Sequence, residues 1–396
     1  MPDKPIALEL KRGEEDRLVR GHPWVFSNEL KTVPRDAEPG VLATVQTAKG
    51  RVMGVGFFNP KSLISFRLLS REPVAIDFAF FRRRFEDAIS LRERRLPGES
   101  SYRLCFGESD GLPGLVVDKY GSILVLQVLA AGIERRLDLI CKALTEVVRP
   151  DGIYLHNDHP VRTLEGLTRE DKVFSGEVPE TVSIVSAGLK YEIPVRKGQK
   201  TGFYFDQREN RAALAPYCRG RTVLDLHCYI GAFAMTAAKS GAEKVLGLDS
   251  SAPAIEIARS NAELNGLSEN CEFDEGDAED VLEAFAEKRR SIRPNLIVLD
   301  PPSLVPAKKH LAKALRAYER LNAAALRILP KGGILATSTC SHHVGREDFL
   351  RMLRLAAGRV GRSVRLLELR GQACDHPVLL SMTETEYLHF ALLETV

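Results

Sequence analysis

Apolar positions along the chain change rhythm three times. Over 6–71 they fall in short alternating or β-branched runs, Val41–Thr47, Val52–Phe58 and Ser65–Leu69, punctuated by Gly40, Gly50 and Asn59-Pro60. Runs of this kind between turn residues predict the strands of a small β-rich module. Over 77–96 the spacing becomes helical: Phe78, Phe81, Phe85 and Ile89 recur on one side, Asp77 can cap the start, and Pro97-Gly98 stops it. The other face is predicted to carry Arg82, Arg83, Arg84, Arg92, Arg94 and Arg95.

Residues 102–185 mix both rhythms. Leu115–Asp118 and Ser122–Leu129 flank Lys119-Tyr120-Gly121 as a hairpin, Glu134–Val148 reads as an amphipathic helix and Gly152–His156 as a strand. From about 190 strand and helix alternate. Strands are expected at Val223–His227, Lys244–Asp249, Cys271–Phe273, Leu296–Leu299 and Gly333–Ser338, and helices at Ala252–Leu264 and Lys313–Ile328. Strands at Val364–Leu369 and Tyr387–Leu393 follow. Such alternation implies a parallel sheet covered on both faces, with ligands at the carboxyl ends of its strands. The expected fold class is α/β, with a β-rich domain at 1–72, a central α+β domain at 77–188 and a Rossmann-like domain at 189–396.

Composition narrows the classes. The 396 residues are 44% hydrophobic and 28% charged, the balance of a globular chain with several cores. The net charge is only +3, yet residues 1–71 hold 12 Lys/Arg against 8 Asp/Glu, so positive charge is concentrated in the β-rich module. Seven scattered cysteines, without C-x-x-C pairs, argue against a disulfide framework or a structural zinc site and suit a reducing cytoplasm. The start, Met-Pro-Asp-Lys-Pro, has no apolar signal region. The longest apolar stretch, Ile123–Ile133, is too short for a bilayer, which needs about 20 residues.

Chemistry gathers at the expected strand ends. Val223-Leu224-Asp225-Leu226-His227-Cys228-Tyr229-Ile230-Gly231-Ala232-Phe233 reads as strand, turn and helix start, and Gly231 permits a tight turn. The run is not G-x-G-x-x-G, which disfavours a dinucleotide. Asp249 ends the second strand and can accept both hydroxyls of a ribose. Asp277, in Gly276-Asp277-Ala278, can accept from an adenine amino group, and the fourth strand runs into Asp300-Pro301-Pro302-Ser303. Each Asp alone suits a helix N-cap equally well. The ordered set Asp225, Asp249, Asp277 and Asp300 points instead to S-adenosylmethionine (SAM).

The fifth strand ends Thr337-Ser338-Thr339-Cys340-Ser341, so Cys340 lies at the same rim as Asp300. A stray cysteine is more often an inert buried side chain. At this rim a thiolate can add to C6 of a cytosine and make C5 nucleophilic towards a methyl donor. Asp300 can then hydrogen-bond ring N3. His342 and His343 either tune the thiol or are ordinary loop residues.

These residues resemble the PUA-containing class I methyltransferases that make 5-methylcytosine in large-subunit ribosomal RNA. Gly21-His22-Pro23-Trp24-Val25-Phe26 is similar to the start of the family's PUA domain. Gly107-Glu108-Ser109-Asp110-Gly111-Leu112-Pro113-Gly114-Leu115 and Val161-Arg162-Thr163-Leu164-Glu165-Gly166-Leu167 are similar to its central domain. Lys200-Thr201-Gly202-Phe203-Tyr204-Phe205-Asp206-Gln207-Arg208, Asp300-Pro301-Pro302, Thr339-Cys340-Ser341 and Asp375-His376-Pro377 complete the series. The resemblance implies PUA, central and methyltransferase domains, rRNA as substrate, a homodimer and Cys340 as nucleophile. It places Asp206 and Gln207 near the methionine end of SAM, with Tyr229 and Gly231 in the cofactor turn; the bland reading of 200–208 is a hairpin with packed aromatics. Ser303 stands where other RNA cytosine-5 methyltransferases carry a cysteine. Ile230 and Ala232 depart from the Thr and Gly usual in the turn.

Arg12, Arg17, Arg20, Lys61, Arg67 and the arginines of 82–95, Arg84 among them, are candidates for phosphate contacts, which give affinity rather than sequence choice. Trp24, the only tryptophan, either stacks on a base or packs in the module. Three other readings compete: an RNA exocyclic-amine methyltransferase that grips nitrogen with Asp-Pro-Pro, an RNA-binding protein with a vestigial methyltransferase domain, and a small-molecule methyltransferase, which would leave the basic N-terminal modules without a task.

Overall fold

The computed structural model describes residues 5–199, 201–287, 292–305 and 308–396; Lys200 of the 200–208 motif lies outside them. The chain groups into two compact units. The first comprises 1–184, 193–205 and 374–385, and the second 185–192, 206–373 and 386–396.

The first unit holds two five-stranded sheets. The N-terminal sheet runs in the order Ile6–Glu9, Val41–Gln46, Val52–Phe58, Phe66–Ser70, Trp24–Val25. Val45, Phe58, Phe66 and Leu10 fill its core. Gly132, whose Cβ would fall 2.0 Å from the Phe57 ring, lets the helix Ala131–Glu134 lie against this sheet. The second sheet, with Ser101–Phe106, Leu115–Tyr120 and Ile123–Val128 in sequence along it, packs on helices Phe78–Arg95 and Leu137–Val148. Asp77 caps the first of these helices, accepting from Phe80 N at 3.0 Å.

That helix corrects one expectation. Arg92 is not on the charged face: it follows Phe81, Phe85 and Ala88 on the buried stripe and is completely enclosed. Its guanidinium grips Asp110 with two bonds, the longer 2.8 Å, and donates to the carbonyls of Arg103 and Asp375. A buried cation persists only where every donor is matched in this way.

The second unit is built on a seven-stranded sheet. We number its strands β1 (Thr222–Leu226), β2 (Lys244–Asp249), β3 (Cys271–Glu275), β4 (Leu296–Leu299), β5 (Ile334–Thr339), β6 (Val364–Arg370) and β7 (His389–Thr395). Helices α1 (Ala232–Lys239), α2 (Ala252–Leu264), α3 (Ala278–Ala286), α4 (Leu311–Ile328) and α5 (Arg346–Arg359) lie between them. The order is β3-β2-β1-β4-β5-β7-β6. The sheet is not all parallel, as the alternation suggested: β7 runs antiparallel to both β5 and β6. The hairpin Val182–Ser186 and Leu189–Ile193 was not anticipated either. No helix among the described residues is long and apolar enough to cross a membrane.

Candidate functional site

Strand register assembles the site. Leu226 pairs with Leu248 on one side and Leu299 on the other, and Leu299 pairs with Thr337. One residue further on, His227, Asp249, Asp300 and Ser338 therefore form a single row across the carboxyl ends of β1, β2, β4 and β5. The sequence marked two of these four as site residues. Ser338 lies in the polar Thr337-Ser338-Thr339 end of β5, and nothing in the sequence separates it from its two threonine neighbours.

Asp249 is half-buried, and each carboxylate oxygen receives one backbone donor: Tyr229 N at 2.9 Å and Ser251 N at 3.0 Å. A carboxylate oxygen takes more than one donor, so capacity for ribose hydroxyls remains. The loop after β1 is tightly wound. His227 and Tyr229 adopt positive φ of 62° and 49°, and Gly231 follows at 81°. A Cβ on Gly231 would sit 2.7 Å from the Phe273 ring, so glycine also permits close packing of the turn on β3. Non-glycine residues in this conformation cost about 1–3 kcal/mol each and cluster at ligand sites. The Nε2 of His227 is buried with no hydrogen-bond partner. Burial holds the His227 imidazole below its usual pKa, against the pull of Asp249 and Asp277. A neutral, unsatisfied ring nitrogen beside two carboxylates suits the polar edge of an adenosine, so these residues fit the nucleoside half of SAM.

Asp225 is committed to the fold, and Asp277 caps a helix through one carboxylate oxygen. Asp225 is fully enclosed beneath the loop, accepts from Ala234 N at 2.8 Å and so ties β1 to the first turn of α1. Burial pushes its carboxyl well above the usual range. Asp277 is exposed and caps α3 through Glu279 N and Asp280 N.

Asp206 and Gln207 lie in the turn Phe205–Gln207 that leads into helix Arg208–Leu214. Both are buried. Gln207 Nε2 donates to Asp300 Oδ1 at 3.0 Å, while Asp206 Oδ2 accepts from Tyr387 Oη at 2.7 Å. Ser338 Oγ makes a second bond to Asp300 Oδ1. Arg211, fully buried, carries a guanidinium that burial pushes down in pKa; Asp206 and Asp300 are among the carboxylates that oppose this. Neither Arg211 nor Tyr387 stood out in the sequence.

Cys340 is half-buried just beyond β5, with Sγ 4.0 Å from the Pro301 carbonyl. Two loops therefore meet at the thiol. Ser303 and Ser341 face each other at 2.9 Å, and Tyr318 from α4 reaches Ser341 Oγ at 3.0 Å. His342 lies against Tyr387, the ring centroids 5.2 Å apart and the planes tilted by 36°. Burial pushes the thiols of Cys141, Cys218 and Cys271 up to about 12, and those of Cys105 and Cys228 well above their usual value.

In the first unit the candidate cations separate into two groups. Arg12, Arg20 and Lys61 are exposed. Arg17 and Arg20 line a cavity of about 400 Å³ together with His22 and Ser381, although Arg17 also binds Glu29 at 3.0 Å. Arg67 is committed inside, to Glu108 at 3.3 Å and Glu165 at 3.0 Å. Burial alone would raise the Glu165 carboxyl, but Arg67, Ser62 and Asn59 hold it below its usual value. Arg84 donates to the Leu69 carbonyl at 2.8 Å and covers the Phe80 ring. Trp24 is half-buried, its indole N–H bound to Glu108 at 2.8 Å and Arg67 over its ring.

Comparison with known proteins bears on the same regions. A family model described as a PUA-like domain matches residues 8–71. One described as an S-adenosylmethionine-dependent methyltransferase matches residues 151–376. The ribosomal RNA large subunit methyltransferase I of Aeromonas hydrophila subsp. hydrophila is 38% identical over 388 residues, covering 96% of this chain and 97% of that protein. The protein of the same name from Escherichia coli O157:H7 is 36% identical, covering 97% and 98%. Among solved structures, one described as a SAM-dependent methyltransferase from Streptococcus mutans superposes with a TM-score of 0.84 at 22% identity, covering 99% of this chain and 100% of that chain. A methyltransferase complexed with S-adenosylhomocysteine (SAH) gives 0.85, also at 22% identity and the same coverage. The two structures share this fold.

Proposed function

Because the chain belongs to the S-adenosylmethionine-dependent methyltransferases, and within them to the ribosomal RNA large subunit methyltransferase I family, we propose that it methylates carbon-5 of a cytosine in large-subunit ribosomal RNA with Cys340 as nucleophile. The observation that carries this reading is the meeting of Cys340 with the Asp300-Pro301-Pro302 loop, its Sγ 4.0 Å from the Pro301 carbonyl.

Asp249, the Tyr229–Gly231 turn and Asp277 would hold the adenosine of SAM, with Asp206 and Gln207 at its methionine end. When bound, SAM supplies an electrophilic methyl group on a sulfonium. Asp225 acts from below by holding α1 against β1. Cytosine C5 is a weak nucleophile, and the thiolate of Cys340 overcomes this by adding to C6. As the C6–S bond forms, electron density moves into the ring, and Asp300 hydrogen-bonds the protonated N3. C5 would take the methyl group, leaving SAH as the neutral thioether; a base then removes the C5 proton, N3 gives up its proton, and the C6–S bond breaks to return the thiolate. Gln207 and Ser338 both donate to Asp300 Oδ1 and orient its carboxylate for this task. Arg12, Arg17, Arg20 and Lys61 would contact phosphates, and the target base must leave its stack to reach the rim.

Cys340→Ala, assayed on ribosomal RNA with radiolabelled SAM, tests the reading. Loss of methyl transfer, together with loss of the covalent adduct that 5-fluorocytosine RNA forms with the native protein, supports it. Full activity in Cys340→Ala would overturn it and favour transfer to an exocyclic amine.

A further inference from the structure

Tyr318 lies in the middle of α4 with no solvent exposure, on the face that also buries Ala314, Leu321 and Asn322. Phenylalanine would fill the same space, so the hydroxyl needs its own explanation. The Thr339 side chain at the end of β5 lies against it, and three further groups come from the loops after β4 and β5. The Leu304 N–H donates to it at 3.2 Å, the Pro302 carbonyl accepts from it at 3.3 Å, and Ser341 Oγ lies at 3.0 Å.

A phenol has one proton to give, and a carbonyl has none. The Tyr318 proton therefore goes to Pro302, Ser341 donates to Tyr318, and Ser303 donates to Ser341 across 2.9 Å. This one-way series ends on an amide carbonyl, which takes up no proton near neutral pH. It is a clamp and not a proton path. Pro302, Ser303 and Leu304 belong to the loop after β4, and Ser341 adjoins Cys340 in the loop after β5. One buried oxygen thus ties together the two loops that face each other at the thiol.

We propose that Tyr318 is a positioning residue: its hydroxyl sets the gap between the Cys340 thiol and the Asp300-Pro301-Pro302 loop, and hence where the target base sits against the nucleophile. The inference rests on the reading of Cys340 as the nucleophile. Without the hydroxyl, the Leu304 N–H, the Pro302 carbonyl and the fully buried Ser341 each lose a partner. The 302–304 segment then relaxes away from the Cys340 loop, while the strand-end row, with Asp300 held by Gln207, stays in place. A misplacement of about 1 Å at a reacting centre costs on the order of 100-fold in rate.

The test is Tyr318→Phe in the full chain, with Ser341→Ala as the second variant. The rate of adduct formation with 5-fluorocytosine RNA and kcat are expected to fall together, by about 10- to 100-fold. KM for RNA and the calorimetric affinity for SAH should stay within about 3-fold, a split that loss of packing alone would not produce. Should Tyr318→Phe not fold, Ser341→Ala, which removes one hydroxyl, decides alone. An adduct rate within about 3-fold of wild type, or a fall in SAH affinity that matches the fall in adduct rate, overturns the inference. Cys340→Ala run in parallel separates the two readings. If it retains methyl transfer, the nucleophile reading fails and this inference with it. If it is inactive while Tyr318→Phe runs at the wild-type rate, only the role of Tyr318 fails.

Discussion

Gln207 Nε2 donates to Asp300 Oδ1 at 3.0 Å across 93 residues of chain. Asn210 Nδ2 donates to Gln207 Oε1 at 2.7 Å, which fixes the side-chain amide with its NH2 group towards Asp300. Replacing Gln207 with Ala removes one of the donors that orient this carboxylate. A hydrogen bond to a charged group contributes about 1.5–3 kcal/mol. Gln207→Ala is therefore expected to slow methyl transfer by about 10- to 100-fold in single-turnover assays. Gln207→Glu should be slower still, because it sets a carboxylate against Asp300; equal rates for the two variants would show that the contact is incidental.

Asp249 faces the cofactor turn through Tyr229 N and the start of α2 through Ser251 N. Asp249→Ala removes the proposed acceptor of the ribose and loosens the turn at the same time. Titration calorimetry with SAH is expected to show an affinity weaker by at least about 10-fold. RNA binding at low salt should be unchanged, since the candidate phosphate contacts lie in the other unit. Unaltered SAH affinity would remove Asp249 from the cofactor site.

The sequence was most informative where apolar runs have sharp ends. The edges of β2, β4 and α2 coincide with those expected because Asp, Pro or Ser bounds each run. Strand direction was not legible, since an apolar strand reads the same parallel or antiparallel; β7 shows this. Arg92 sits at helical spacing from Phe81, Phe85 and Ala88, but its charge argued for solvent, and only the distant Asp110 and Asp375 explain its burial. Asp249, Asp300 and Cys340 could be proposed because strand ends are where α/β folds bind ligands. Tyr318 and His227 could not, as their roles depend on which atoms of remote loops they meet.

Thiol labelling can examine Cys340 without any substrate. Five cysteines are buried with thiols pushed up in pKa, and a buried neutral thiol is inert. Cys340 and Cys374 are only half-buried. Iodoacetamide at about pH 7.5 is expected to modify these two in the native protein, and RNA together with SAH to protect Cys340. Peptide mass mapping reads both outcomes; labelling of Cys105 or Cys228 at comparable rates would contradict the packing.

The cations of the first unit should respond to mutation in two distinct ways. Arg67→Ala leaves Glu108 and the buried Glu165 without their shared partner, and breaking such a buried pair costs about 3–5 kcal/mol. It is expected to lower the melting temperature clearly. Arg20→Ala and Lys61→Ala, both at exposed positions, should leave melting unchanged and weaken RNA binding. Each should reduce the slope of log affinity against log salt by about one. An unchanged slope in both would remove them from the RNA face.

Acid sensitivity follows from His389 in β7. Burial holds its imidazole below the usual value, against Glu386 and a hydrogen bond from the ring to the Val344 backbone carbonyl, both of which favour the charged form, while the ring packs on Phe349. The unfolded chain takes up this proton near about pH 6.5, whereas the folded state resists it to lower pH. The contribution to stability is thus present above about pH 6.5 and lost as pH falls towards the folded value. The melting temperature is expected to drop between about pH 7.5 and 5.5, and to drop less in His389→Gln, which has no proton to take up. His389→Gln will be less stable at every pH because the ring contact with Phe349 is lost, so the slope and not the absolute value is diagnostic. Parallel curves for the two proteins would show that His389 is already charged in the fold and that the acid response arises elsewhere, with the half-buried His227 as the next residue to substitute.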